Sequence, residues 1–153
     1  MKIRQYNKDD LRQVVQLFFH TVHTSNAKDY SAEQLAVWAP KNPDLEKWQS
    51  SLMKNDCLVA VMDNQIIGFG DMDKTGYLGR LYVSPSYQRM GVASQICDLL
   101  EERVKHPITT HASITAKPFF EKRGYQVVKM QQVERQGILL TNYIMRKQNG
   151  MDK

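Results

Sequence analysis

The residues of this chain best suited to chemistry lie between Tyr77 and Ser94, in the run Tyr-Leu-Gly-Arg-Leu-Tyr-Val-Ser-Pro-Ser-Tyr-Gln-Arg-Met-Gly-Val-Ala-Ser. Leu81, Tyr82 and Val83 suit a buried strand. Ser84-Pro85-Ser86 ends it, because proline cannot donate to a ladder and serine starts turns. Gln88, Arg89 and Met90 then lead into Gly91-Val92-Ala93-Ser94, and Val92, Ile96, Leu99 and Leu100 follow at helical spacing. A helix that opens on glycine leaves its first N–H groups uncovered, and its dipole adds positive potential there. Phosphate binds such a place, and Arg89 stands where it could add charge. No Gly-Lys-Ser/Thr follows, so this is not a Walker loop, and the three glycines of the dinucleotide fingerprint are missing.

A second block runs from Thr109 to Val128 and reads as strand, helix, strand. Pro118 falls in the first turn of its helix, where a missing N–H costs little. Gly124 supplies a left-handed stop.

Together these blocks resemble the GNAT family of acyl-coenzyme A-dependent N-acetyltransferases. The family's motif A pattern, Gln/Arg-x-x-Gly-x-Gly/Ala, is filled by Gln88, Gly91 and Ala93. Its motif B is matched by Ala116, Glu121 and Gly124, with Tyr125 in place of a Phe. The blocks Tyr30–Trp38 and Ser113–Glu121 are also similar to the YafP-type bacterial branch of that family. The resemblance implies an α+β fold with a mixed, mostly antiparallel central sheet of about seven strands and helices on both faces. It implies acetyl-coenzyme A as the bound cofactor. By position, the Leu81 and Val83 backbone would bond the pantetheine arm and the Val83 N–H would face the acyl carbonyl. Backbone N–H groups of Arg89, Met90, Gly91, Val92, Ala93 and Ser94 would hold the pyrophosphate, next to Gln88. The chain departs from motif B twice. Ser113 replaces the usual Asn, and Phe120 replaces the Tyr that often protonates the departing thiolate.

The elements that must position these residues follow from the pattern along the chain. Lys2–Tyr6 predicts a strand. Asn7 could cap a helix from Lys8 to about His23, with Leu11, Val14, Val15, Phe18 and Val22 on one stripe. Ser31 is an N-cap for a helix through Trp38, ended by Pro40 and Pro43, and a short helix follows at Leu45–Lys54. Cys57–Met62 and Gln65–Met72 make a hairpin around Asp63-Asn64. After the Tyr77–Lys105 unit come a strand near Ile108–His111, a helix ending at Arg123, and strands Tyr125–Val133 and Ile138–Arg146. Residues 1–147 read as one domain and Gln148–Lys153 as a loose tail.

Composition narrows the class. The chain has 153 residues, enough for a substantial core, and its 42% apolar content is that of a globular protein. Cys57 and Cys97 sit within predicted elements and read as buried, reduced thiols. His20 and His23, three apart on a helix, read as a helix face, and no metal-type spacing is present. Neither a signal core nor a membrane-length run occurs, which makes a cytoplasmic protein the expectation. The net charge of +5 is lopsided: residues 1–76 carry 9 basic and 10 acidic side chains, residues 77–153 carry 12 and 6. Arg80, Lys105, Lys117 and Lys129 are scattered rather than striped and can be read as solvated faces. Coenzyme A is therefore a better match than nucleic acid, and a homodimer is compatible.

Acyl transfer to an amine needs a positioned donor, a stabiliser for the carbonyl oxygen and an acceptor for the ammonium proton. By the resemblance, the stabiliser would be the Val83 N–H. For the proton, Tyr77 at the start of its strand and His111 at the end of the next are the candidates, although a structural strand aromatic and a core histidine are the plainer readings of each. Glu33 and Asp71 are further carboxylates that could reach the cleft. Tyr30 and Trp38 could wall the acceptor site or pack in the core, while Leu35 reads as core. Two functions stay open: an N-acetyltransferase acting on a small-molecule or peptide amine, and a non-catalytic acyl-coenzyme A-binding regulatory or interaction domain.

Overall fold

The computed structural model describes residues 1–105 and 107–148. The expected tail, apart from Gln148, lies outside them. Seven strands form one sheet in the order β1-β2-β3-β4-β5-β7-β6. They are β1 (Lys2–Gln5), β2 (Asp56–Met62), β3 (Gln65–Met72), β4 (Tyr77–Val83), β5 (Ile108–Ser113), β6 (Gln126–Arg135) and β7 (Ile138–Lys147). Five helices accompany them: α1 (Leu11–Ser25), α2 (Ala32–Trp38), α3 (Leu45–Lys54), α4 (Val92–Glu102) and α5 (Lys117–Lys122). Every neighbouring pair is antiparallel except β4 and β5.

Local chemistry explains most boundaries. Asn7 and Asp10 form a reciprocal capping box, but it closes a single 3-10 turn, Lys8–Asp10, and the α-helix proper starts at Leu11 rather than Lys8. Asp10 is held there by Arg4, at 2.8 Å, which fixes the entry angle of the chain. Ser31 and Gln34 make the same box for α2. Asp63 and Asn64 both take positive φ, 52° and 62°, as a two-residue hairpin turn between β2 and β3 requires. Gly124, at φ +94°, ends the turn after α5.

Both faces of the sheet are covered, so β2 reads as continuously apolar rather than alternating. On one face α4 and α5 bury Val92, Ile96, Cys97, Leu100 and Phe120 against Leu58, Ala60, Ile67, Leu78 and Val83. On the other, α1, α2 and α3 bury Val14, Phe18, Val22, Leu35 and Leu52 against Cys57, Val59 and Phe69. Gly68 and Gly70 let α4 approach β3. A Cβ at either would lie 3.0 Å from Val92 Cγ1 or Ile96 Cγ2, tight enough that α4 would have to give way by a few tenths of an ångström.

Two features of β4 shape the cleft. Its register against β3 slips between Asp71 and Met72, which face Arg80 and Leu78, so Gly79 is an extra, bulged residue. Its pairing with β5 covers only Tyr77↔Thr109 and Leu78↔Thr110. Beyond Leu78 the two strands separate.

Candidate active site

The gap between β4 and β5 is lined on one side by Gly79, Arg80, Leu81 and Tyr82 and on the other by His111, Ala112 and Ser113, with Ala116 and Phe120 behind. The backbone of β4 is available to it. Ser84 N donates to Ile67 O at 2.8 Å, which makes Ser84/Ile67 a hydrogen-bonded antiparallel pair. Such pairs alternate, so Val83 and Leu81, opposite Gly68 and Gly70, turn their N–H groups away from β3 and toward the gap. The Val83 carbonyl is spent instead on Gln88 Nε2 (2.6 Å) and Thr21 Oγ1 (3.3 Å).

The Gln88–Ser94 segment leaves the end of β4 through a 3-10 turn, Pro85–Tyr87. Arg89 and Gly91 take left-handed φ of 64° and 79°, and Gly91 is the residue before α4. Successive N–H groups in such alternating conformations form an anion-binding concavity at the helix mouth. The Gln88 side-chain amide folds back onto the Val83 carbonyl and ties the loop to the strand. Met90 is an exposed apolar side chain, whereas Val92 is buried under the sheet and can contribute only backbone.

Tyr77, His111, Leu81, Ser113, Phe120, Tyr30 and Trp38 all line one cavity. Val83 and the Gln88–Ser94 loop lie outside that lining, past the far end of β4. The Tyr77 and His111 rings meet edge to face, with centroids 5.1 Å apart. His111 is exposed, contrary to its reading as a core histidine, because it is where β5 has already parted from β4. Neither of its ring nitrogens has a hydrogen-bond partner among the described residues. Burial raises the Tyr77 hydroxyl above its ordinary value, and the carboxylates of Asp71 and Asp73 push the same way.

Other expected residues are committed elsewhere. The Ser113 hydroxyl accepts from Ala116 N at 3.0 Å, closing the turn before α5. Tyr30 donates to Thr141 O (2.6 Å) and accepts from Ile114 N (2.9 Å), so its hydroxyl pins the chain ahead of α2 to the ends of β7 and β5 while its ring forms wall. Phe120 packs edge to face on Tyr125, itself a core aromatic bonded to Glu101. Glu33 stays on the exposed first turn of α2 and lines neither cavity described here.

A second cavity continues from the first toward α1 and α3. Phe18, Pro40, Pro43, Asp44, Lys47, Trp48 and Ser51 line it, and it shares Trp38, Tyr77, Gly79, Arg80, Tyr82 and Arg135 with the first. Arg80, read from sequence as a solvated face, is instead a central wall residue. Its Nη1 bonds Asp71 Oδ2 at 2.7 Å and Ser51 Oγ at 3.1 Å, and its guanidinium lies 4.6 Å over the Trp48 ring. Asp71 is fully buried; Asn55 bonds the same Oδ2 at 3.2 Å, and Oδ1 has no partner among the described residues. That orphan oxygen lies 3.3 Å from where a Cβ on Gly79 would stand. Sequence reasoning missed both Arg80 and Arg135, because nothing near either in the chain marks it.

Comparison with known proteins adds to this geometry. A family profile described as an acetyltransferase (GNAT) domain matches residues 26–147. The Escherichia coli (strain K12) protein called uncharacterized N-acetyltransferase YafP is 38% identical over 148 residues, 95% of each chain. A crystal structure described as a GCN5-related N-acetyltransferase, "Aminotransferase, Class-II", from Rhodopseudomonas palustris superposes with a TM-score of 0.92. It is 29% identical and the match covers 96% of this chain and 94% of that one. The PaiA N-acetyltransferase of Thermoplasma acidophilum, solved in complex with coenzyme A, superposes at 0.76 and is 18% identical over 96% and 98% of the two chains, a likeness of fold.

Proposed function

Because this chain belongs to the GNAT acetyltransferase family, with acetyl-coenzyme A as its co-substrate, we propose that it acetylates a primary amine, of a small molecule or a peptide, by direct attack with donor and acceptor bound together. The observation that carries this reading is the parting of β4 from β5, which leaves the Leu81 N–H facing a cavity whose far wall holds His111 and the Val83 N–H turned to the gap beyond it. When bound, acetyl-coenzyme A supplies an acetyl group activated as a thioester. Leu81 and Val83 would hold its arm through the backbone, and the N–H groups of Arg89–Ser94 would hold its phosphates. The Val83 N–H stabilises negative charge on the carbonyl oxygen, as a fixed donor in a dry site does.

His111, with free ring nitrogens, takes a proton from the acceptor's ammonium form, and the neutral amine so released attacks the thioester carbonyl. Tyr77, kept protonated by burial, lines the same cavity as Phe120, which has no proton to give. Trp38 walls the acceptor. The buried, unpaired thiols of Cys57 and Cys97 support a cytoplasmic setting. Among the described residues no helix is long and apolar enough to cross a membrane.

A thiol-release assay over a panel of amines tests the function. Tight acetyl-coenzyme A binding with no turnover on any amine would favour the non-catalytic binding domain. Gly91→Val tests the loop. A Cβ there meets only Gln95 Nε2, at 4.0 Å, so the damage is conformational rather than a clash. A β-branched residue at φ +79° costs about 1–3 kcal/mol and re-aims the N–H groups before α4. The expected result is a rise of about tenfold or more in the KM for acetyl-coenzyme A, and loss of most of the thermal stabilisation that this ligand gives. An unchanged KM would remove the loop from the cofactor site.

A further inference from the structure

Resting on the acetyltransferase reading, we propose that the acceptor is an amine that also carries a carboxylate, a free amino acid with a large apolar side chain, and that Arg135 receives the carboxylate. Arg135 ends β6, beside the Gln136-Gly137 turn, and lines both cavities at the point where they join. It is exposed, and it makes no ion pair or hydrogen bond among the described residues. It shares the lining of both cavities with Tyr77.

The charges around this joint are unequally spent. Asp44 Oδ1 accepts from Lys47 N and caps α3. Asp73 Oδ1 accepts from Thr75 N, Thr75 Oγ1 and Tyr77 N, holding its own turn. Asp71 is sealed under Arg80. The cations are freer. Arg80 is paired with Asp71, whereas Lys47, like Arg135, makes no ion pair among the described residues. Arg135 and Lys47 are therefore the cations at this joint without an ion-pair partner among the described residues, and Arg135, placed where the two cavities meet, is open to an anion. A guanidinium fork matches a planar carboxylate in two parallel bonds. Phe18, Trp38, Trp48 and Tyr82 supply apolar wall for the rest of the acceptor.

The test is steady-state thiol release on a matched set: phenylalanine and leucine, their amides, phenethylamine, and a dipeptide with phenylalanine first. For the wild-type protein the free amino acids should show a KM about 10–100-fold below that of their amides, the worth of a charge-assisted pair. Arg135→Gln should raise the KM of the acids by a similar factor and that of the amides much less, so that the preference for the acids collapses. Arg135 is exposed, so a thermal scan should show the variant folded. Equal KM values for acid and amide, or discrimination that survives Arg135→Gln, overturn the inference and leave the acetyltransferase reading standing. Turnover of the dipeptide but not of the free amino acids overturns the free-amino-acid assignment. No turnover on any amine, with acetyl-coenzyme A still raising the melting temperature, overturns both readings together.

Discussion

Arg80→Ala should lower the stability of this protein by about 3 kcal/mol, near the low end of what breaking a buried ion pair costs. The reason is what the substitution leaves behind. Asp71 has no exposed surface, and its Oδ1 already lacks a partner. Removing the guanidinium strands the whole carboxylate with only Asn55 Nδ2, at 3.2 Å. The low end applies because the Arg80 side chain is itself 26% exposed, so water can follow it in. Lost packing on Trp48 adds to the effect. Arg80→Lys should recover only part, since an ammonium lacks the planar fork and stacks poorly. Asp71→Asn in the Arg80→Ala background should be less damaging than the sum of the two changes, because the stranded charge is gone. Urea unfolding of the four proteins reads this directly. A loss under about 1 kcal/mol for Arg80→Ala would mean that Asp71 is not held by this pair.

Glu101→Gln is expected to cost about as much, roughly 3 kcal/mol, and to change the response to acid. Glu101 on α4 accepts from Tyr125 (2.7 Å), from Arg123 (2.9 Å) and from Lys147 (3.0 Å). It thereby joins α4 to the end of α5 and to β7. Burial pushes its carboxyl upward, but the bonds from Arg123, Tyr125 and Lys147 outweigh it and leave the group below its ordinary 4.5. A depressed folded value means stability that is complete above the unfolded value. It is lost as pH falls through 4.5 toward the lower folded value. Wild-type protein should therefore lose urea resistance between about pH 6 and about pH 3, and Glu101→Gln should lose less over that span. Parallel acid limbs for the two proteins would remove Glu101 from the acid response.

What the sequence made legible was chemistry carried by neighbours in the chain. The Asp63-Asn64 turn, the Ser31–Gln34 box and the Gly91 opening of α4 each depend on residues within a few positions. The capping box at Asn7 was equally local, yet it closed a 3-10 turn before α1, since the same side-chain bonds suit either. Residues whose meaning depends on distant partners were illegible. Arg80 reads as an ordinary strand cation until Asp71, Ser51 and Trp48 are brought to it from β3 and α3. His111 passes for a core residue until β5 is seen to leave β4. Gln88 fits the family pattern as a cofactor residue, and only the fold shows its amide turned onto Val83. Arg135 could not be found at all without knowing which cavity the β6–β7 hairpin overhangs.

The two-pair junction of β4 with β5 has a mechanical consequence. A sheet is normally held across by its ladder, and here the ladder between its halves is cut short to make room for the cleft. Cohesion passes to side chains that bridge the cut: Thr110 Oγ1 to Leu78 O, Tyr30 to Thr141 and Ile114, Gln34 to Leu139 O, Thr115 to Asp29, and the Glu101 cluster. The two halves are thus joined by a short ladder, by these side chains and by the core they share under α4, and a ligand arm lying along β4 would add one more link between them.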